Sequence, residues 1–339
     1  MTSSRYLVLL TVCCLSAYSD PTEASLQPFE AVEPHMGTLF RIKLYAQNES
    51  QAQAAFHTAF ERIGQLDGTL SDYQPNSELN RVTRSPVRQP VHVSKDLFRV
   101  LSAAQNMAEE TDGAFDVTVG PLTHLWRAAR KQGSVPSTEA LGTALERCGF
   151  RKMHLDAGRQ SVMFDIDGMQ LDLGGIAKGY AADEAIAVLR GAGVSRALVA
   201  ASGDLAFSDA PPGKGGWSIG VDALDSAGQP FTRVLVMTNA AVSTSGDTEQ
   251  HLDVGGKRYS HIIDPKTGMG LTNQLTITVA ARNGTEADAA ATAISVLGRD
   301  KGLVFVEGRE GMAALLVDRS DHPAVVTISR RFELLRSLD

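Results

Sequence analysis

The chain has 339 residues, of which 43% are hydrophobic and 21% are charged, and these values are typical of a globular protein with a sizeable core. The formal net charge of −7 argues against a nucleic-acid-binding surface, because such a surface concentrates basic residues. The sequence contains no run of six like charges, no low-complexity tract and no obvious repeat.

The first 24 residues are predicted to be a signal or leader segment. Arg5 precedes an apolar run from Tyr6 to Leu15, which is too short to span a bilayer as a helix but fits the hydrophobic region of a secretory signal. A disordered start or a misjudged start codon is the alternative. Cys13 or Cys14 could carry a lipid anchor, although the valine before Cys13 is a poor match to the small residue that lipoprotein processing prefers.

Cys148 is the only cysteine after the predicted leader, so the remaining chain can form no internal disulfide. It lies in ALERCGF, at a predicted helix end, and we predict a buried structural thiol. No CxxC motif or Cys/His cluster indicates structural zinc.

Helical patterns predominate before residue 150. Residues 37–46 alternate apolar and polar side chains and are predicted to form a strand, and residues 50–67 a helix with Ser50 as a candidate N-cap. Residues 94–113 are predicted to form an amphipathic helix that Ser94 caps and a glycine ends. Two more helical patches precede residue 150.

Short strands dominate from residue 150 onward. They are predicted over RKMHLD, SVMFDID, RALVAASG, WSIGVD, FTRVLVMT, NQLTITVAA, MAALLVD and AVVTIS, with one helix over TEADAAATAISVLG. The segregation of helices from strands predicts an α+β protein rather than a regular alternation of strand and helix. No Pro/Gly/Ser-rich linker separates independent domains, so we predict one domain over residues 25–339.

The segment DLGGIAKGYAAD, residues 172–183, is predicted to be a turn between a strand and a helix. Its glycines would let backbone N–H groups approach an anion at the positive helix end, and Lys178 could add a charge. The spacing matches neither GxGxxG nor GxxxxGK[ST]. Before a helix, a double glycine is often only a packing contact, and Asp172 can simply accept backbone N–H bonds at a strand end.

Asp288 and Thr292 are four residues apart in the helix predicted over TEADAAATAISVLG and therefore share a face. Thr285 is the predicted N-cap, which makes Asp288 a capping-box acid at the third helical position. The alternative is a hard-cation site in which the carboxylate and the hydroxyl coordinate Mg²⁺. On spacing alone, capping is favoured.

Two further segments carry candidate chemistry. In RYSHIIDPKTG, His261 is either structural or, at the end of a strand, a base or phosphate ligand, with Asp264 close by. The segment AVSTSGD offers hydroxyls in a predicted turn, but without a GxSxG motif a Ser/His/Asp hydrolase has no support. In GAFDVTVGPL, Phe115 could stack on an aromatic ring and Asp116 could hold a ligand, whereas a core Phe and a turn Asp are the alternative.

Taken in chain order, these segments resemble the ApbE family, the FAD:protein FMN transferases. The resemblance is carried by HMGTLFRI, LSDYQPNSELN, GAFDVTVGPL, DLGGIAKGYAAD, SGDLAF, VSTSGD, HIIDPKTG and TEADAAATA, and it covers residues from about 30 to 320. The ordered set is far more specific than any single motif. It implies a single α+β domain, ApbE-like (T-fold-like), with helices packed on mixed or antiparallel sheets.

The resemblance also implies a binding site. FAD is expected in an extended groove formed by Met36, Tyr73, Ala114, Phe115, Asp116, Asp172, Lys178 and the strand that carries His261 and Ile262. Mg²⁺ on the FAD pyrophosphate is expected to bind Asp288, Thr292 and the backbone carbonyl of Gly175. Capping and metal binding by one carboxylate are compatible, because it has several lone pairs.

The implied reaction transfers FMN from FAD to a Thr or Ser hydroxyl of an acceptor protein and releases AMP. His261 is the candidate base and Asp264 its orienting partner. The family's acceptors are subunits of membrane redox complexes, with the modified Thr in a Ser/Thr-Gly-Ala-Ser/Thr motif on the exported side. We therefore expect an exported, periplasmic protein, with a lipid anchor to the inner membrane as an option.

Two alternatives to the transferase remain. A Mg²⁺-dependent FAD pyrophosphatase would use water in place of the protein hydroxyl; Tyr73 disfavours it, because a bulky ring can fill space beside the pyrophosphate. A non-catalytic exported FAD-binding protein would need a weakened metal site, and Asp288 and Thr292 argue against that.

Overall fold

The computed structural model describes residues 25–224, 229–246, 251–320, 323–335 and 337–338. The predicted leader, with Cys13 and Cys14, lies outside the described residues. The helices are α1 (Glu49–Leu70), α2 (Glu78–Thr83), α3 (Lys95–Glu110), α4 (Gly120–Gln132), α5 (Thr138–Glu146), α6 (Ala177–Gly191), α7 (Gly284–Glu307) and α8 (Arg330–Glu333). None of the described helices is long and apolar enough to cross a membrane.

Of the described strands, three precede residue 150 and thirteen follow it. They are β1 (Gln27–His35), β2 (Thr38–Ala46), β3 (Val91–His92), β4 (Met153–Asp156), β5 (Ser161–Phe164), β6 (Ala197–Ala201), β7 (Asp204–Phe207), β8 (Trp217–Leu224), β9 (Pro230–Met237), β10 (Ala240–Ser245), β11 (His251–Val254), β12 (Lys257–Ser260), β13 (Leu275–Ala281), β14 (Ala313–Asp318), β15 (Val325–Ile328) and β16 (Ser337–Leu338). The predicted turn AVSTS is therefore wrong, because these residues lie in β10.

An eight-stranded sheet forms the centre of the fold. Its strand order is β1-β2-β6-β7-β10-β13-β14-β15, and each neighbouring pair is antiparallel. Three smaller antiparallel sheets have the orders β3-β5-β4, β16-β9-β8 and β11-β12. The predicted α+β class is confirmed.

Helices α1, α6 and α7 cover one face of the large sheet. Alternate residues of β2 (Phe40, Ile42 and Leu44) are fully buried in the main core with apolar residues of these helices. A second core contains Trp217 and Phe332 and lies on the other face. A third core surrounds Trp126 and joins α4 and α5 to the β11–β12 hairpin.

Helix α1 begins at a different cap from the predicted one. The Asn48 side chain accepts a hydrogen bond from the Gln51 backbone N–H at 2.9 Å, so the prediction of Ser50 as N-cap is wrong. The predicted cap of α3 is confirmed, since Ser94 Oγ accepts from the Leu97 N–H at 3.2 Å.

Asn48→Ala is expected to lower the free energy of unfolding by about 1 kcal/mol, because it removes this acceptor at the helix start. Ser50→Ala, at an exposed position two residues later, should change it by less than about 0.5 kcal/mol. Urea denaturation of the two variants measures the difference. Equal effects of the two changes would contradict the assignment of the cap.

Cys148 is buried, and its thiol donates to the Ala144 carbonyl oxygen at 3.2 Å. Burial raises the pKa of this thiol to about 12. The predicted structural thiol is confirmed.

Helices α6 and α7 touch at two glycines. A methyl group on Gly179 would lie 2.1 Å from the Gly284 carbonyl oxygen, and one on Gly284 would lie 2.6 Å from the Gly179 carbonyl oxygen. Only glycine permits backbones to approach so closely. The contact brings the first turns of the two helices together.

Candidate functional site

The predicted metal ligands lie where α6 and α7 touch. Gly175 is in the turn before α6, and a methyl group added to it would stand 2.7 Å from Thr292 Oγ1 in α7. Asp288, one turn before Thr292, accepts a hydrogen bond at Oδ2 from the Gly179 backbone N–H at 3.1 Å. We call this junction of Gly175, Gly179, Asp288 and Thr292 the helix corner.

Asp288 does not cap its own helix. The N-cap of α7 is Asn283, whose side chain accepts from the Glu286 N–H at 2.8 Å. The hydroxyl of Thr285 instead donates to Asp183 at 2.7 Å. The prediction of Thr285 as N-cap, with Asp288 at the third helical position, is therefore wrong. The Asp288 carboxylate contacts α6 instead.

An ion-pair cluster with buried carboxylates and a partly exposed lysine adjoins the helix corner. The Lys178 ammonium pairs with Asp204 and lies 3.9 Å from Asp288 Oδ2. Asp204 is 3% exposed, at the start of β7, and accepts from Ser243 Oγ at 2.6 Å. Lys178 is thus directed to two carboxylates, and its contact with a nucleotide stays a prediction. Sequence reasoning assigned no role to Asp204, although it lies in the quoted segment SGDLAF.

Burial has a strong effect on Asp288. Its burial, together with repulsion from Asp204, raises the pKa of Asp288 to about 7, while Lys178 opposes the rise. A buried carboxylate of this kind gains stability when a cation is placed beside it.

The helix corner suits a hard divalent cation. A carboxylate, a hydroxyl and a backbone carbonyl are oxygen ligands that Mg²⁺ accepts, with remaining positions left for water or phosphate. Within the described part of the chain, no group of three or more His, Cys, Asp or Glu residues is placed to hold a metal ion. The fit therefore depends on the mixed oxygen set of Asp288, Thr292 and Gly175.

Asp172 organises the turn that leads to the helix corner. Its Oδ1 accepts from the Gly174 N–H at 2.8 Å, and its Oδ2 accepts from Arg127 Nη2 at 2.9 Å. The strand predicted before this turn is wrong, because Gln170 forms only an isolated parallel bridge with Val119. The alternative of a carboxylate that accepts a backbone N–H describes Asp172, although no strand ends there, and its contact with a nucleotide stays a prediction.

Arg127 joins Asp172 to the loop that carries Tyr73. Its guanidinium also pairs with Asp72 and lies 4.2 Å from the centre of the Tyr73 ring. His124 Nε2 is 3.7 Å from Asp72 Oδ2. Burial alone would raise the pKa of Asp72, but the adjacent His124 and the paired Arg127 hold it below its usual range, and the nearby Asp72 carboxylate raises the pKa of His124. Sequence reasoning missed Arg127 and Asp72.

Met36 lies in the two-residue turn between β1 and β2. Met36 and Gly37 have φ values of 49° and 72°, as a tight hairpin turn of this kind requires. The Met36 N–H donates to Asp67 Oδ2 at 3.2 Å, which ties the turn to α1.

Ala114, Phe115 and Asp116 are all buried. Asp116 Oδ1 accepts from the N–H and the hydroxyl of Thr118, both at 2.7 Å, and Oδ2 accepts from the Phe150 N–H at 2.9 Å. The alternative of a core Phe and a turn Asp describes these side chains. Contact of this segment with a flavin nucleotide stays a prediction.

His261 is exposed and directly follows β12. The predicted strand over His261 and Ile262 is therefore wrong, since the Ile262 N–H donates to Ser260 Oγ at 3.1 Å in a bend. The carboxylate of Asp264 accepts from the Lys266 N–H and the Thr267 hydroxyl, each at 2.9 Å, and so closes its own turn. Its role as the orienting partner of His261 stays a prediction.

Two cavities are lined by other residues. One of about 450 Å³ is lined by Leu125 of α4 and by Arg147, which follows α5, among others, and one of about 280 Å³ by Asp183, Arg190 and Arg282 among others. No predicted site residue lines either cavity. The candidate site is therefore identified by its chemistry rather than by an enclosed volume.

The chain is similar to several known proteins. The sequence profile of the ApbE family matches residues 36–316. The chain is 32% identical over 328 residues to the FAD:protein FMN transferase of Treponema pallidum, covering 92% of this chain and 90% of the relative. The flavin transferase ApbE from Vibrio cholerae has a TM-score of 0.83 and 26% identity, covering 92% of this chain and 100% of that chain. The ApbE protein from Thermotoga maritima has a TM-score of 0.81 and 32% identity, covering 91% and 99% respectively.

Proposed function

Since the chain belongs to the ApbE family, we propose that it is an FAD:protein FMN transferase, which moves FMN from FAD to a Thr or Ser hydroxyl of an acceptor protein and releases AMP. The helix corner is the observation that supports this function best, because Gly175, Asp288 and Thr292 offer oxygen ligands beside the first turn of α6. A helix start and a divalent cation both favour an anionic pyrophosphate.

The cation proposed for this corner is Mg²⁺, held by the Asp288 carboxylate, the Thr292 hydroxyl and the Gly175 carbonyl. When bound, it supplies charge neutralisation at the pyrophosphate and orientation of the reacting phosphorus. Lys178 adds positive charge to the same corner, and Asp204 holds its ammonium in place.

The proposed reaction exchanges one bond to phosphorus for another. The acceptor hydroxyl oxygen bonds to the FMN phosphorus, the bond from that phosphorus to the bridging oxygen breaks, and AMP leaves with the bridging oxygen. The hydroxyl proton passes to a base, for which we propose His261, because it is exposed at the end of β12. Asp264 closes the turn that follows, and we propose that it orients His261.

An exported location is part of the proposal. Arg5 and the apolar run from Tyr6 to Leu15 fit a secretory signal. The acceptor would then be a subunit of a membrane redox complex that presents its Thr on the periplasmic side. A lipid on Cys13 or Cys14 would hold the enzyme at the inner membrane, close to such an acceptor.

Covalent flavin fluorescence tests the proposed function. The protein without residues 1–24 is mixed with FAD, Mg²⁺ and an acceptor domain that carries the Thr motif, and a denaturing gel is examined for a fluorescent acceptor. The expected result is a fluorescent acceptor band together with one AMP for each FMN attached. FMN and AMP with a dark acceptor would replace the transferase by a pyrophosphatase. Bound but intact FAD would exclude both enzymes.

A further inference from the structure

Helix α4 reaches two parts of the candidate site through adjacent residues. Trp126 is buried, and its Nε1 donates to the Gly268 carbonyl oxygen at 2.8 Å, in the turn that follows Asp264. Arg127, the next residue, extends to Asp172 and Tyr73. Because the indole is fixed in the third core, the guanidinium of Arg127 starts from a rigid backbone position.

The planar guanidinium of Arg127 makes three contacts. It donates to Asp172 at 2.9 Å, pairs with Asp72 and lies 4.2 Å from the centre of the Tyr73 ring. The side chains of Arg127, Asp72 and Asp172 are only 21%, 8% and 11% exposed, so these ion pairs are shielded from water far better than ordinary surface pairs. Tyr73 itself is 71% exposed, so core packing contributes little to the position of its ring.

The chemistry of the guanidinium matches these three contacts. Its flat fork can bind two carboxylates while its face stacks on an aromatic ring, whereas a lysine ammonium is a point charge that cannot do both. Asp172 also connects Arg127 to the glycine turn. Its other carboxylate oxygen accepts a hydrogen bond from the Gly174 N–H, next to the proposed metal ligand Gly175. A substitution of Arg127 is therefore expected to alter the position of both the Tyr73 ring and the glycine turn.

We propose that Arg127 is a positioning residue that fixes Tyr73 and Asp172 relative to each other, and that this arrangement directs FMN to a protein hydroxyl rather than to water. The inference rests on the proposed function. In the proposed site, the held ring fills space beside the pyrophosphate that a water molecule would otherwise occupy. The two carboxylates are kept neutralised, so they do not repel the anionic substrate.

Arg127→Gln and Arg127→Lys test the inference against the wild-type chain. We measure KM for FAD, kcat for FAD consumption, and the fraction of FMN that is released free rather than attached to the acceptor. For Arg127→Gln, KM is expected to rise at least about tenfold, because two carboxylates lose their partner. The kcat is expected to stay within about threefold, while the free FMN fraction rises. Arg127→Lys should have a KM for FAD between those of Arg127→Gln and the wild type, but its fraction of FMN transferred should stay as low as in Arg127→Gln.

A matched arginine elsewhere serves as the control. Arg309 pairs with Glu110 and lies 5.5 Å from the Phe305 ring, so it makes the same kinds of contact, and none of these three residues belongs to the proposed site. Arg309→Gln should leave KM and the fate of FMN at wild-type values. In a Tyr73→Ala background, Arg127→Gln should raise the free FMN fraction no further, because the ring through which it acts is absent.

Three results would overturn the inference. The first is that Arg127→Lys has the wild-type KM for FAD and the wild-type fraction of free FMN. The second is that Arg309→Gln changes both quantities as much as Arg127→Gln does. The third is that Arg127→Gln raises the free FMN fraction as much in the Tyr73→Ala background as in the wild-type chain. If Arg127→Gln does not fold, the lysine variant decides alone, since it keeps the charge. A wild-type chain that consumes no FAD refutes the proposed function, whereas an active wild type with unaltered Arg127 variants refutes only this inference.

Discussion

Asp288→Asn is expected to abolish Mg²⁺-dependent FAD consumption, with kcat/KM falling at least about 100-fold. Asparagine keeps the side-chain size and an oxygen that can accept from the Gly179 N–H. It removes the negative charge from the set of Asp288, Thr292 and Gly175, and with it most of the attraction for the cation. AMP release, measured over a range of Mg²⁺ concentrations, tests the expectation.

A stability measurement distinguishes the loss of FAD consumption in Asp288→Asn from misfolding of the variant. In the folded chain, burial and Asp204 raise the pKa of Asp288 from 3.8 to about 7. The folded state therefore binds this proton more tightly than the unfolded state does, and the wild-type protein should lose stability as the pH rises from about 4 to 7. Asparagine does not ionise, so Asp288→Asn does not lose stability in this way as the pH rises. Without Mg²⁺, the variant should therefore melt at a higher temperature than the wild type at pH 8.

A second acid in α7 provides the control. Glu286→Gln removes a carboxylate from the first turn of the same helix without touching the helix corner, and it should keep wild-type activity. If Asp288→Asn retained full activity, or if Glu286→Gln lost it, the metal assignment would be wrong.

Local pattern predicted the elements that turn one apolar face to a core. Strand β2 alternates apolar and polar residues from Phe40 to Leu44, and its Phe40, Ile42 and Leu44 are fully buried, so its prediction was confirmed. Strand β1 was not predicted, because it is an edge strand whose residues are mostly exposed or half-buried. With a proline near each end, at Pro28 and Pro34, its signal was too weak to distinguish it from a linker.

The errors at helix starts have a different cause. Before α7, both Asn283 and Thr285 are good capping residues, and the local sequence does not rank them. Asp183, about a hundred residues earlier in the chain, decides the matter by accepting from the Thr285 hydroxyl and from the N–H groups of Gly284 and Thr285. A tertiary contact of this kind leaves no trace in the spacing of capping motifs.

The same limit applies within the candidate site. The proposed metal ligands were named from the resemblance to the ApbE family, since the spacing of Asp288 and Thr292 alone favoured a helix cap. Arg127 and Asp204 were not named, since Arg127 meets Asp172 across 45 residues and Asp204 meets Lys178 across 26. The residues that hold the named ligands in place come from other elements, and only the fold brings them together.

Gly179→Ala is expected to lower the free energy of unfolding by about 1–3 kcal/mol, although alanine is the better helix former by about 1 kcal/mol. The steric effect should win, because the new methyl group would stand 2.1 Å from the Gly284 carbonyl oxygen and 2.9 Å from Asp288 Cβ. The nearest obstacle is backbone, so relief requires α6 and α7 to separate. Denaturant unfolding measures the loss.

Separation of α6 and α7 would also disturb the proposed metal site, since the Gly179 N–H donates to Asp288. Gly179→Ala should therefore weaken Mg²⁺ activation of FAD consumption even where the protein is folded. Gly142→Ala is the matched control: it lies inside α5 with nothing within 4 Å of the added methyl group, so propensity acts alone and should stabilise by about 0.4–1 kcal/mol. Opposite signs for the same substitution would show that the close glycine contact holds α6 and α7 together beside the proposed metal ligands. A stabilising Gly179→Ala would show that the two helices can move apart freely.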